Sequence, residues 1–496
     1  MRAGTTCLPF SGRTTCARGS LMTMAQYTKH PVAAPPTAPE RESTGRLLLR
    51  GYATVVLIGA FAHTAVYNLA GPIGAGIVMI VFLLGACAIG IPMIANRRPH
   101  PFNWRRLPWT ALGYVCLALL SVTWSQWRLP TIITWVLLAA VTVNALLIAH
   151  SMTWLEIARS LASAFKWILG LSLALELWVS LVMRHPLLPN FLTLPDGDVD
   201  PHWYWVRNNL IAGERIQGIV GNSNVLAIVS LFAIITFGVQ IAQNVRWRVT
   251  HILWLVLAAY LMFRASSATA YVCALAAAVV LLVALLIRRT RAPGGRGRIY
   301  ATCGAIVAVA VAALVVFRQP LFTALGRGSD LTGRTDLIWT KVLERAAQHP
   351  IFGNGFSSPW IPTDPAFDGW IVDHGITVFH AHNMWLDVLM QLGAVGLALM
   401  AVAYFSLLWR AWFFAADRPR WDLRADRPYS PLTLLPVLFT TVLLVQGLAE
   451  STPIMLWGWM MLVLFSFKIK AVPLVGVGLS EQSRVTERGR EARRIP

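Results

Sequence analysis

The chain has 496 residues, of which 56% are hydrophobic and only 13% are charged. Many uninterrupted apolar segments are too long for the core of a soluble domain, so the composition excludes a soluble enzyme and predicts an integral membrane protein built of helices. The formal net charge of +20 does not indicate a nucleic-acid partner, because the arginines concentrate in short connections between apolar segments.

Both ends of the chain are predicted to be polar tails. Residues 1–46 carry Pro, Thr, Gly and Arg without hydrophobic periodicity, which is typical of a disordered segment, and Met22 and Met24 are alternative starts. No compact apolar stretch follows the first basic residues, so a cleavable signal peptide is not expected. Residues 471–496 form a basic C-terminal tail.

Between the tails the sequence predicts an all-α polytopic membrane protein. Because one crossing needs about 20 apolar residues, we expect about 12 transmembrane helices. Helices 1–9 fall in residues 47–317 and helices 10–12 in residues 383–470. The expected spans are 47–69, 71–95, 107–125, 130–150, 161–183, 219–243, 247–263, 268–288, 299–317, 383–410, 431–450 and 453–470.

The charge of the connections predicts the orientation. The basic connections 96–106, 288–298 and 410–427 fall on one side of the bundle together with both tails, so the positive-inside rule puts both termini in the cytoplasm. The long connections 184–218 and 318–382 then lie on the outer side. The second is too polar for a core and too long for a turn, so we expect a small helical outer-face subdomain there. Neither connection has the glycine fingerprint of a nucleotide-binding unit, which disfavours a nucleotide-driven mechanism.

A short amphipathic helix is predicted within the longer outer connection. Its apolar residues at helical spacing are Leu337, Ile338, Val342 and Ala346. Pro350 ends this helix, and we expect the helix to lie at the outer membrane surface. Arg334 stands in the first turn, where an arginine is poorly placed for the helix dipole. Arg334 therefore either faces solvent and lipid phosphate or holds a phosphate together with the free helix N–H groups.

Arg215 precedes the sixth expected span, in the stretch GERIQGIVGNSN. A charged residue at the edge of a hydrocarbon segment is either an interface anchor or an anion ligand, and Glu214 is able to neutralise it. Asn222 and Asn224 stand where the helix enters the membrane. Such small amide side chains either permit close helix packing or offer hydrogen-bond donors to a ligand headgroup.

The stretch HAHNMWLDVLMQLGAVG, from His380 to Gly396, places a polar cluster at the start of a long apolar helix. His382 and Asn383 are both able to cap this helix. A neutral imidazole at a helix start is a competent general base near neutral pH, and His380 is the second candidate for that role. Gly393 and Gly396 lie about 16–21 Å further along the helix, where they would allow another helix to approach closely.

Other interpretations of these histidines stay open. His382 would also fit a purely interfacial residue at the membrane edge. A metal cluster of Asp373, His374, His380 and His382 is a further alternative, but the spacing matches no standard zinc pattern and no cysteine joins in. We therefore expect no metal and no other cofactor.

The other outer connection contains the acidic stretch LPDGDVDP. Asp196, Asp198 and Asp200 resemble the DxD motif with which many glycosyltransferases hold a divalent metal. Acidic residues in a turn rich in proline and glycine are more often simply solvated. A metal-dependent outer-face glycosyltransferase is therefore the minority interpretation of this stretch.

The sequence resembles the bacterial O-antigen ligases and the related O-antigen polymerases over roughly residues 200–465. Their signature H-N-x9-G-x-x-G is matched by His382, Asn383, Gly393 and Gly396. The stretches GRTDLIW and HPIFGNGF are also similar to that superfamily.

The resemblance implies a glycosyltransferase on the outer leaflet of the bacterial plasma membrane. The donor would be a glycan linked to a polyprenyl diphosphate, and the acceptor would be a hydroxyl of a glycan or glycolipid, without nucleotide sugar or metal. The family's essential histidine corresponds to His382, and its diphosphate-binding arginines correspond to Arg215 and Arg334. A single displacement with His382 as base would invert the anomeric centre.

Ligases and polymerases share the motif, so the sequence leaves the acceptor open. An alternative of another class is a flippase or transporter of lipid-linked glycans. A flippase should show charged residues deep in several spans and internal pseudo-symmetry, whereas this chain has few such residues, such as Glu176.

Overall fold

The computed structural model describes residues 44–96, 102–192, 200–243, 248–290, 294–317, 334–357, 360, 364–373, 376–416 and 429–472. The chain divides into two compact units, residues 1–49 and 50–496. Apart from the first turns of helix α1, the description below concerns the second unit. The predicted tails lie almost entirely outside the described residues.

Most of the described residues are helical. The α-helices are α1 (Thr44–Phe61), α2 (His63–Ala95), α3 (Trp109–Leu120), α4 (Arg128–Ser151), α5 (Trp154–Trp178), α6 (Ser223–Ala242), α7 (Arg248–Ala265), α8 (Ala268–Arg289), α9 (Gly295–Val316), α10 (Thr340–Gln348), α11 (Met384–Ala416), α12 (Leu434–Gln446) and α13 (Leu456–Ala471). Strands β1 (Val372–Asp373) and β2 (Ile376–Thr377) form a short antiparallel pair.

Eight of these helices are long and apolar enough to cross a membrane. They are α1, α2, α4, α5 with its π-helical continuation to Met183, α6, α7, α8 and α11. Residues 109–123 and 431–446 form shorter apolar helices. The helical membrane fold is thus confirmed, while the count of about 12 spans stays a prediction.

The first expected span, 47–69, is divided in the structure. Helix α1 ends at Phe61 and α2 begins at His63, because Ala62 leaves the helical dihedral angles with φ −116° and ψ 33°. Hydropathy averaged over a span does not register this turn, since most residues on both sides of it are apolar.

An aromatic core joins helices that are distant in the chain. The ring of Phe61 on α1 lies 5.0 Å from that of Phe165 on α5, and it stacks on Trp457 of α13 at 5.5 Å. Phe232 of α6 meets the same tryptophan edge-on at 5.5 Å. All four side chains are fully buried, so aromatic packing between helices stabilises this part of the bundle.

Helix α2 is broken at Gly71, which has φ +69° and ψ −177°. Such a break leaves backbone groups without partners inside the helix. The backbone N–H of Asn190 donates to the carbonyl of Asn68 at 2.9 Å, and its side chain donates to the carbonyl of Leu69 at 3.4 Å. The connection after α5 therefore closes the break in α2.

Helix α11 is broken in the same way at Gly393, with φ +62° and ψ −164°. Beyond the break, the N–H of Ala394 donates to the carbonyl of Pro350 at 2.8 Å, and the N–H of Val395 donates to that of Ile351 at 3.1 Å. Backbone from the connection after α10 thus enters the hydrogen-bond ladder of α11, which keeps irregular backbone satisfied within an apolar helix.

The same connection also donates back to α11. The N–H groups of Asn354 and Gly355 donate to the carbonyls of Met390 and Gln391, at 3.0 and 2.9 Å. Gly353 has φ +71°, and a side chain there would overlap the backbone of Gln391. The stretch HPIFGNGF is therefore docked on α11 by main-chain contacts on both sides of the break.

Gly393 and Gly396 are expected to let another helix approach closely, but the atoms that lie beside them do not belong to another helix. A side chain at Gly393 would overlap the carbonyl of Ile351, which belongs to a connection and not to another helix. At Gly396 the nearest atoms belong to Leu392 of the same helix, because the break brings the two turns together. Both glycines therefore serve the break in α11.

A small hydrophobic cluster surrounds α10. Its predicted apolar face is buried, with Ile338, Val342 and Ala346 at most 4% exposed. These residues pack on Trp360 and Phe367. Aromatic side chains of the same connection cover this face, so it does not contact lipid, and the position of the helix at the outer membrane surface stays a prediction.

Candidate functional site

The start of α11 is held in place by Asn383. Its side-chain oxygen accepts hydrogen bonds from the backbone N–H groups of Trp385 at 3.0 Å and Leu386 at 3.4 Å, as a helix cap does. Its amide donates to the carbonyl of Leu448 at 3.4 Å, and the N–H of Met384 donates to that of Gly447 at 2.9 Å. The first turn of α11 is thereby tied to the connection between α12 and α13.

This arrangement places His382 beside Glu450. Nδ1 of His382 lies 3.2 Å from Oε2 of Glu450, and the two side chains are 22% and 11% exposed. His382 has φ +50°, a left-handed conformation that is unusual for a residue with a side chain. Strain of this kind persists where the surroundings fix it, and it is found most often at functional sites.

His380 is the second histidine of this cluster. Its ring centroid lies 3.9 Å from that of His382, and its Nδ1 accepts a hydrogen bond from the backbone N–H of His382 at 3.3 Å. Both candidate bases thus stand at one place, together with a carboxylate that sequence reasoning missed. A carboxylate at the end of an expected span was the available signal, and it is easily mistaken for an ordinary interfacial charge.

A buried carboxylate, Asp387, holds the backbone of the two histidines in place. Asp387 is fully buried, and it accepts hydrogen bonds from Trp360 Nε1 at 3.0 Å and from Gln391 Nε2 at 2.6 Å. It also accepts from the N–H of Ala381, between the two histidines, at 3.3 Å. Asp387 therefore fixes the backbone that carries both imidazoles.

Arg215 belongs to a second cluster, at the start of α6. Its Nε donates to the carbonyl of Ala265 at 3.0 Å, and Nη2 donates to Oδ1 of Asn224 at 2.9 Å. Asn222 caps α6 by accepting from the N–H groups of Asn224 and Val225, at 2.8 and 3.2 Å. Partial burial lowers the pKa of Arg215 from its usual value, although the group stays a cation near neutral pH. Asn222 thus shapes the helix start, while Asn224 orients the guanidinium.

Two further arginines, which the sequence did not single out, lie in this region. Nε of Arg207 and Nε of Arg264 are buried and have no hydrogen-bond partner among the described residues. Burial lowers the pKa of Arg207, and the like charge of Arg215 lowers it further, while Asp200 and Glu214 act in the opposite direction. Arginines held close enough to affect each other in this way form a cationic patch suited to an anion.

Arg264 joins this patch to α7. Its Nη2 donates to the carbonyls of Asn209, Leu210 and Glu214, at 3.2, 2.8 and 3.2 Å. The end of α7 therefore holds the loop that carries Arg207 and Arg215.

Some predicted site residues lie wholly or partly outside the described part of the structure. The backbone of Arg334 begins a π-helical segment that leads into α10, but the place of its side chain lies outside the described part of the structure. The same holds for Asp196, Asp198 and His374. The predicted pairing of Arg215 with Arg334 therefore stays a prediction.

Comparison with known proteins gives a family match for one part of the chain. Residues 253–401 match the O-antigen ligase family. That range contains Arg334, His382 and the two signature glycines, whereas Arg215 and Glu450 lie outside it. No curated protein shows significant similarity to the chain. The long apolar helices and the family match together fit a multi-pass membrane protein, and residues 253–401 are similar to the O-antigen ligase family.

Proposed function

We propose that the chain is a glycosyltransferase that moves a glycan from a polyprenyl-diphosphate carrier to an acceptor hydroxyl, on the outer leaflet of the plasma membrane. His382 is the general base, and Arg215 and Arg334 bind the diphosphate. The observation that carries the proposal is the contact of 3.2 Å between His382 Nδ1 and Glu450 Oε2, at the start of the helix that bears the family signature.

The carboxylate favours one tautomer of the neutral His382 ring. When Nδ1–H donates to Glu450, the other ring nitrogen, Nε2, is left as the acceptor. Nε2 takes the proton of the acceptor hydroxyl, and the resulting imidazolium is stabilised by the negative charge of Glu450. Glu450 is thus a positioning residue, and His382 is the residue that meets the substrate.

The bonds change in one displacement. The acceptor oxygen forms a bond to the anomeric carbon while the bond from that carbon to the diphosphate oxygen breaks, and the carrier leaves as a polyprenyl diphosphate. The negative charge that develops on the leaving oxygen requires fixed cations, and a guanidinium offers paired donors to phosphate oxygens. The anomeric centre is inverted, and the reaction needs no metal.

Arg207 and Arg264 support the location of the diphosphate near Arg215. The buried Nε groups of Arg207 and Arg264, which lack partners among the described residues, are donors that an anion would satisfy, although Asp200, Glu214 and Glu176 offset part of the arginine charge. Asn224 holds the guanidinium of Arg215 through one nitrogen and leaves Nη1 for a phosphate oxygen.

The test is a transfer assay with the purified full-length protein in lipid nanodiscs. The donor is a defined polyprenyl-diphosphate glycan, offered with candidate acceptors, with and without EDTA. We expect release of polyprenyl diphosphate, formation of an inverted product, and no loss of rate with EDTA. A single added glycan indicates a ligase, and a ladder of products indicates a polymerase.

The variant His382→Ala should lower the transfer rate by about 100-fold or more, because the proton of the acceptor hydroxyl has no base. His349→Ala, which removes an exposed histidine after α10, is the matched control and should transfer at the normal rate. Transfer by His382→Ala at the wild-type rate would remove the central claim, and complete inhibition by EDTA would show that a metal is required.

A further inference from the structure

The cluster at the start of α11 also has the composition of a metal site. His380, His382 and Glu450 each offer one ligand atom, and the three atoms lie within 4.8 Å of one another. Two imidazoles and a carboxylate are a ligand set that Zn²⁺ and its neighbours in the first transition row accept.

The distances are close to those that a bound ion needs. With metal–ligand bonds of about 2.0–2.1 Å, tetrahedral ligand atoms stand about 3.3 Å apart. Nδ1 of His382 and Oε2 of Glu450 are already 3.2 Å apart. The ligand atom of His380 lies within 4.8 Å of the other two and has to move closer, and the hydrogen bond that its Nδ1 accepts is long, at 3.3 Å.

The backbone that carries these ligands is fixed before any ion arrives. Asp387 holds the N–H of Ala381, between the two histidines, and Met384 is hydrogen-bonded to Gly447, ahead of the carboxylate. His382 and Glu450 nevertheless remain partly open, with side chains 22% and 11% exposed. A small ion can therefore reach a site whose ligands are already gathered, which lowers the entropy lost on binding.

We propose that His380, His382 and Glu450 bind one divalent transition-metal ion of the Zn²⁺ type, and that the bound ion stops glycan transfer. An imidazole that binds the ion through Nδ1 carries its proton on Nε2, so His382 no longer accepts the proton of the acceptor hydroxyl. The ion is thus an inhibitor of a reaction that itself needs no metal. The proposed metal site depends only on the geometry of these three residues, whereas the proposed inhibition rests on the proposed function.

Binding is tested by calorimetric titration of the full-length, chelator-treated protein in nanodiscs with ZnCl₂. We expect one tight site, whose dissociation constant rises more than about 10-fold in His380→Ala and in Glu450→Gln. His185→Ala, which removes an exposed histidine of the connection after α5, is the matched control and should bind as the wild type does. Because a variant that misfolds would also lose binding, Co²⁺ is added to the wild type, where visible absorption typical of low-coordinate Co²⁺ is expected.

Inhibition is tested in the transfer assay with free Zn²⁺ buffered around the measured dissociation constant. The rate should fall as the site fills and return when EDTA is added. A wild type that binds no stoichiometric Zn²⁺, or one whose binding survives in both ligand variants, overturns the site. Tight binding with an unchanged transfer rate overturns the inhibition. If no transfer occurs at all, the proposed function fails, and the titration still decides the metal site.

Discussion

Helices α2 and α11 are both broken by a glycine, and the two breaks differ in what closes them. At Gly71 the neighbouring connection reaches the helix through the backbone N–H and the side chain of Asn190, and the nearest atoms to a new side chain, on Phe191, are 3.5 Å away. At Gly393 the backbone of Pro350 and Ile351 itself enters the helix. The main chain that enters α11 leaves no space for a side chain at Gly393, whereas a side chain at Gly71 would make only ordinary contacts with Phe191.

The difference matters for the candidate site because α11 starts next to His380 and His382. Asp387 and Gln391 lie between His382 and the break, and Asp387 accepts from Gln391 as well as from Ala381. The docked connection is hydrogen-bonded to Gln391 through Gly355. The break at Gly393 therefore supports the backbone of the site, while the break at Gly71 lies in a different helix, α2.

The largest effect on stability is expected for Gly393→Ala. The dihedral angles at both glycines belong to a region that costs other residues about 1–3 kcal/mol. At Gly393 the new methyl group also displaces the carbonyl of Ile351 and its hydrogen bond, so we expect a total loss of about 3–5 kcal/mol and an inactive protein. Thermal unfolding in detergent measures the loss of stability, and the transfer assay measures the loss of activity. Gly304→Ala in α9, where the space is open, is the control.

Glu450→Gln distinguishes a role of Glu450 in the reaction from a role in the stability of the fold. The amide is still able to accept from Nδ1 of His382, but it no longer stabilises the imidazolium, so kcat should fall about 10- to 1,000-fold with little change in KM or in the unfolding midpoint. Glu344→Gln, which alters an exposed glutamate of α10, should leave kcat unchanged. An unfolding midpoint that falls as far as in Gly393→Ala would mean that Glu450 is a structural residue.

Gly71→Ala should be milder than its counterpart in α11. The backbone strain of about 1–3 kcal/mol remains, but the nearest atoms of Phe191 are at ordinary contact distance, so no hydrogen bond has to break. We expect a lower unfolding midpoint with transfer activity retained. If Gly71→Ala abolished transfer as Gly393→Ala does, both breaks would support the site, which would contradict the expectation that only the break at Gly393 does so.

The smallest effect is expected for Asn190→Ala. The side-chain bond to the carbonyl of Leu69 is long, at 3.4 Å, and the backbone bond to Asn68 at 2.9 Å does not depend on the side chain. A loss of about 0.5 kcal/mol is therefore expected in thermal unfolding, with normal transfer. A loss as large as that of Gly71→Ala would show that the side chain, and not the backbone, closes the break in α2.

Local patterns predicted a good part of the fold. Helical spacing identified the buried positions Ile338, Val342 and Ala346, and the capping rule named His382 and Asn383, of which Asn383 is the cap. The same patterns gave the wrong partner for α10, because an amphipathic face shows only that something apolar covers it. Trp360 and Phe367 cover it, and they lie further along the chain in a stretch with no clear periodicity.

The sequence by itself determined the long apolar helices, the position of His382 at the start of one of them, and the family signature, since all of these depend on residues that are near one another in the chain. Only the tertiary structure decided that Glu450 stands beside His382, 68 positions away, and that the backbone of Ile351 fills the break at Gly393. The reason is physical: apolar length and capping are local properties, whereas the partner of a buried polar group is chosen by how the helices and connections pack.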